Sequence, residues 1–136
     1  MTWLFLASCL AMVPAANAQE AETIALELNK ADTVDGACRV TLVVKNSLTS
    51  ALDALRLDMV IFDKSGGVAG YAGIDFGAIP QGKTLVRQYN VAQIDCGTIV
   101  NLLVNDIRSC ERADKVETSC LPHLELKSRT DIGFIL

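Results

Sequence analysis

The sequence predicts a mainly β protein, a single antiparallel sandwich held by two disulfides. Three observations predict it. Apolar residues recur at alternate positions in several segments. Turn residues interrupt those segments roughly every ten positions, as in sandwiches. Four cysteines, Cys38, Cys96, Cys110 and Cys120, follow an apolar leader, and an even count in an exported domain reads as a disulfide framework.

The leader comes first. Residues 1–18 carry no charged side chain and end in Ala-Asn-Ala. An apolar run, Trp3-Leu4-Phe5-Leu6 through Leu10-Ala11-Met12-Val13, precedes Pro14 and small residues at Ala16 and Ala18. This is the layout of a secretory signal peptide cleaved after Ala18, and the run is too short to span a membrane as a helix. A periplasmic chain of residues 19–136, with no transmembrane span, is expected. Two features depart from the pattern. No Lys or Arg precedes the apolar run, and Leu6-Ala7-Ser8-Cys9 resembles a lipobox. Lipidation at Cys9 is the minor alternative, because only eight residues precede it.

Residues 19–120 are expected to form the sandwich. Ile24, Leu26 and Leu28 share one face of a first strand, and residues 29–37 form a polar connection with Asp35-Gly36 as its turn signal. Residues 38–45 are rich in β-branched side chains and form a second strand, broken by residues 46–50. In residues 55–62, Leu55, Leu57, Met59 and Ile61 share a face while the other face is mixed. Asp63 to Gly67 is a hairpin turn, since glycine supplies the positive φ that such turns need. Residues 68–76 are a Gly-rich strand or edge holding Tyr71 and Ile74.

Pro80-Gln81-Gly82-Lys83 makes a turn with Pro at its second position. Residues 84–91 alternate again, with Leu85 and Arg87 opposite Val86. One helical turn is expected near Cys96. Residues 99–108 are long enough for a helix, but the flanking cysteine, the interleaved Asn101 and Asn105, and the β-rich context favour a strand. Residues 121–136 are a tail that either docks as a last strand or stays exposed for a partner through Ile132, Phe134, Ile135 and Leu136.

Four cysteines allow three pairings. Cys110 and Cys120 bracket a charged loop and are placed to close it, which leaves Cys38 with Cys96. Greek-key packing supports the second pair, because the start of the Cys38 strand would lie beside the end of the strand preceding Cys96.

From Ala37 to Val91 the chain resembles the small Ig-like sandwich domains of the FxLyD kind. The carrying features are a β run ending at Asn46, then Leu55-Arg56-Leu57-Asp58-Met59-Val60-Ile61-Phe62-Asp63-Lys64-Ser65-Gly66, then Pro80-Gln81-Gly82-Lys83-Thr84. Leu28-Asn29-Lys30, Ala37-Cys38-Arg39, Asp95-Cys96 and Val104-Asn105-Asp106-Ile107 with Cys110 resemble a group of uncharacterised exported alphaproteobacterial proteins. The resemblance implies an Ig-like fold and a periplasmic address. It hands over no catalytic residue.

Composition narrows the function. The net charge is −4 with no block of like charge, so nothing marks a footprint for nucleic acid. The one Trp, Trp3, lies in the leader, and few aromatics remain to build a carbohydrate or nucleobase platform. Gly77-Ala78-Ile79-Pro80-Gln81-Gly82-Lys83-Thr84 matches the Walker A spelling, but Pro80 removes an amide from the cradle and a β pattern follows. It reads as a strand–turn–strand corner, with no nucleotide. His123, the one histidine, sits beside Pro122 and reads as a solvated or packed side chain. One His and one Met beyond the leader, Met59, do not make a copper carrier. Asp58, Asp63 and Asp75 read as strand and turn residues, and Asn101, Asn105 and Asp106 as the solvent face of a strand.

No catalytic residue, cofactor or metal site is expected. The leading expectation is a non-enzymatic periplasmic module that binds a protein partner in the cell envelope. It would act by strand addition at the 68–76 edge or through the 132–136 tail. The alternatives are a thiol-redox protein using Cys110 and Cys120, and a small-ligand binder between the sheets.

Overall fold

The chain pairs with itself from its first strand. In a computed structural model that describes residues 11–15, 22–115 and 119–136, β1 (Ile24–Val34) and β2 (Ala37–Asn46) form a hairpin. Asp35 and Gly36 turn it with φ of 50° and 79°. Two successive positive φ values make a turn whose twist matches paired strands, so pairing runs up to Val34↔Ala37. The polar connection expected over residues 29–37 is therefore strand up to Val34. A register slip between Leu28 and Lys30 interrupts the alternation there and hides it in the sequence.

The remaining strands are β3 (Leu52–Asp63), β4 (Val68–Asp75), β5 (Thr84–Ala92), β6 (Ile99–Arg112), β7 (Leu124–Ser128) and β8 (Gly133–Ile135). Short 3₁₀ turns at Cys96–Thr98 and Leu121–His123 lead into β6 and β7. The strands build two four-stranded sheets, ordered β5-β2-β1-β7 and β4-β3-β6-β8. Most of the expected leader, Cys9 and the cleavage expected after Ala18 lie outside the described residues. No helix among the described residues is long and apolar enough to cross a membrane.

The sheets are mixed, and this corrects the antiparallel expectation. β7 runs parallel to β1, and β8 runs parallel to β6. The tail supplies two strands, one to each sheet, crossing between them through residues 129–132. Each takes a neighbour far back in the sequence, so no hairpin signal announces it.

One core joins the sheets. Ile24, Leu26 and Leu28 from β1 meet Leu55, Leu57, Met59 and Ile61 from β3 in a single buried cluster. Each of these side chains is almost fully removed from water, which contributes roughly 1.5–3 kcal/mol apiece before conformational entropy is charged against it. Cys38 bonds to Cys96, and Cys110 to Cys120. The first bond closes the corner where Cys38 pairs with Ala92 at the end of β5.

Candidate docking face

The outer surface of the second sheet carries an apolar row. Its register sets Tyr71 of β4 opposite Val60 of β3, Val60 opposite Leu103 of β6, and Leu103 opposite Ile135 of β8. Four apolar side chains thus cross four strands in one line. Side chains alternate faces along a strand. Met59 and Ile61 fill the core, so Val60 points away from it. Val60 is only 6% exposed although it lies outside the core cluster, while Tyr71 is 78% and Ile135 41% exposed. Phe62 and Val68 face each other in the next row. Val60 is covered by its neighbours, so the patch is a surface layer of its own.

Charges close one end of this face. Arg56 Nε sits 3.1 Å from Asp75 Oδ2, and Arg108 hydrogen-bonds Asp58. The Asp58 carboxylate, first by that hydrogen bond and then by its charge, holds Arg108 more firmly protonated than usual. The pairs are exposed and so contribute little to stability; they give the face a polar margin. Asn105 and Asp106 lie at the same end and are exposed, whereas Asn101 is partly covered below Gly133.

The tail divides. Ile132 and Phe134 are buried in the common core, while Ile135 and Leu136 remain exposed beside the apolar row. The edge expected at residues 68–76 and the end of the tail therefore belong to one sheet, as its two opposite borders. The sequence did not join them. The one local signal was that β3 is apolar on both parities from Met59 to Phe62, more than a one-sided strand needs.

The other expected residues fall elsewhere. The Walker-like segment is the corner between β4 and β5. Gly77 and Gly82 take φ of 68° and 71°, and Lys83 N–H closes the turn on the Pro80 carbonyl at 3.1 Å. His123 Nδ1 lies 2.9 Å from the Glu22 carbonyl, a contact that requires the proton on Nδ1. The Cys110–Cys120 bond has one partly covered and one buried cysteine. No group of three His, Cys, Asp or Glu converges to hold a metal ion among the described residues. A hollow of about 540 Å³ lies on the outer face of the first sheet, lined by Ala25, Val43 and the Glu27–Lys127 ion pair.

Among the described residues, three buried polar side chains escaped sequence reasoning: Asn46, Ser50 and Arg112. Asn46 is fully buried and Arg112 nearly so. Arg112 joins Asp114 at 2.9 Å and Glu22 at 3.3 Å, which ties the start of the cysteine loop to the chain ahead of β1. The Asp114 hydrogen bond, ahead of the nearby carboxylate charges, holds its guanidinium more firmly protonated than usual. Tyr89 packs edge-on against Phe76 with ring centres 5.9 Å apart, and its hydroxyl donates to the Asp75 carbonyl at 2.8 Å.

No protein-family model, curated protein or solved structure matches the chain.

Proposed function

We propose that this chain is a non-enzymatic, Ig-like β-sandwich of the FxLyD kind that is exported to the periplasm and docks a protein partner in the cell envelope. The observation that carries the reading is the Tyr71–Val60–Leu103–Ile135 row, an apolar layer outside the core with an exposed residue at each end. Such a row, rimmed on one side by ion pairs, has the make-up of a docking patch. Two disulfides support an oxidising compartment.

The test is crosslinking capture from intact periplasm with the tagged protein. Truncating the tail would remove Ile132 and Phe134 from the core, so point changes are used instead. Ile135→Asp with Leu136→Asp places charge on the exposed tail end alone. A partner captured by the wild type and lost on this change supports the reading. A partner retained, or none captured, sinks it.

A further inference from the structure

Four strands border the two sheets, and they are not equally guarded. β7 and β8 are short, at five and three residues. β5 sets Arg87 opposite the buried Leu42, a charge on the core-facing side that discourages another strand from adding. β4 carries no charge and no proline before Asp75, and Asp75 is already paired with Arg56.

Among the described residues, the free part of the β4 edge has two defined ends. Phe76 N–H bonds to the Leu55 carbonyl at 2.9 Å. Backbone groups alternate sides along an antiparallel strand, so Tyr71, Gly73 and Asp75 turn theirs outward. Tyr89 already caps the Asp75 carbonyl. At the other end the register passes from Ile61↔Gly70 to Phe62↔Val68, which leaves Ala69 as an extra, unpaired residue. The open stretch runs from Gly70 to Ile74, and its centre is Ala72.

Side chains share that centre. Tyr71 stands out from the surface, and Gly73, on the other side of Ala72, leaves a gap. A Cβ added at Gly73 would meet nothing within 4 Å. Hollows of about 370 and 360 Å³ adjoin it, both lined by Arg108. A knob and a hole thus sit symmetrically about one residue.

The geometry points to a second copy of this chain as the occupant of the β4 edge, paired antiparallel about a two-fold axis through Ala72. In this register Tyr71 faces the partner's Gly73, and the reverse contact repeats it. Each ring fills the gap beside a glycine, as aromatic residues do across strands, and comes to lie near an arginine. The outward backbone groups of Tyr71 and Gly73 hydrogen-bond across the axis, an isologous strand addition. Asp75 falls opposite the partner's Ala69, so no like charges meet. The inference goes beyond the docking reading, since β8 and the Ile135 end stay open at the far border.

The test is sedimentation velocity of the purified protein, expressed from the full chain, over a wide concentration range. A monomer–dimer equilibrium is expected. Tyr71→Ala and Gly73→Val should each weaken it by roughly tenfold or more, as removal of a central anchor does. Ile135→Ala should leave it unchanged. Circular dichroism checks that each variant stays folded, and two variants guard against one failing. A monomer at every concentration overturns the inference. So does a dimer that either β4 variant leaves intact, or one that Ile135→Ala weakens. The assay holds one purified chain, so its failure leaves the docking reading to be judged by its own capture experiment.

Discussion

The side-chain amide of Asn46 donates to the carbonyl of Ile79, thirty-three positions along the chain, at 3.0 Å. The same amide donates to the Ser50 carbonyl at 3.0 Å, and its oxygen accepts from Leu48 N–H at 3.0 Å. One buried side chain therefore holds the β2–β3 connection against the Gly77–Pro80 corner. Asn46→Ala would leave these groups unpaired in the interior. The expected loss is about 2–4 kcal/mol in a urea unfolding curve. Asn46→Asp should lose at least as much, because a carboxylate cannot donate to two carbonyls.

The two disulfides differ in the length of chain they close, with sequence separations of 58 and 10. In the chain-entropy model this corresponds to about 4 and about 3 kcal/mol. Replacing both Cys38 and Cys96 with Ala should lower stability more than replacing both Cys110 and Cys120. Denaturant midpoints of the two double variants test the order, and non-reducing peptide maps test the pairing.

Phe134 is 7% exposed whereas Leu136, two residues on, is 57% exposed. Phe134→Ala should cost about 3–5 kcal/mol, as loss of a core aromatic does. Leu136→Ala should stay within about 0.5 kcal/mol of wild type, as exposed sites do. Thermal unfolding of the pair separates a tail built into the core from one laid upon it.

The Glu22 carboxyl is held below its ordinary value of 4.5, first by the hydrogen bond from the Thr49 hydroxyl and then by Thr49 N–H. A carboxyl lowered in the folded state adds stability that is present above pH 4.5 and lost as pH falls through the lower folded value. Glu27 and Asp63 are lowered in the same direction, chiefly by Asn29 and Ser65. Stability should fall with acid below about pH 4.5. Thr49→Val should make that fall shallower, as read from unfolding free energies at pH 7 and pH 3.

Burial pushes the Tyr89 hydroxyl up to about 12 from 10.0. A raised value means that the fold holds the proton more tightly. The stability it adds is complete below pH 10 and is lost as pH rises towards 12. Absorbance titration should show a tyrosine ionising near that value, and Tyr89→Phe should abolish the step.

The sequence exposed the strands whose faces differ and hid the contacts made over distance. Leu55, Leu57, Met59 and Ile61 alternate against Arg56 and Asp58, so their strand and its buried face could be read directly. The β4 border showed in its glycines and the Cys96 turn in its setting. β7 and β8 could not be read as parallel partners of β1 and β6, because parallel pairing leaves no local turn behind it. Asn46 and Arg112 look like surface residues in any window. Their burial follows from partners dozens of positions away. The apolar row is invisible for the same reason, since four strands contribute one residue each and only register aligns them.

The parallel pairing of β1 with β7 also sets a timetable. Ile24 lies beside Leu124, a hundred positions along the chain. A chain that emerges from a ribosome or a membrane pore with its amino end first must carry β1 with one side unpartnered until β7 is out. The first sheet then waits for that late strand, and for that interval the newborn protein is a substrate for whatever holds unfinished sheets apart.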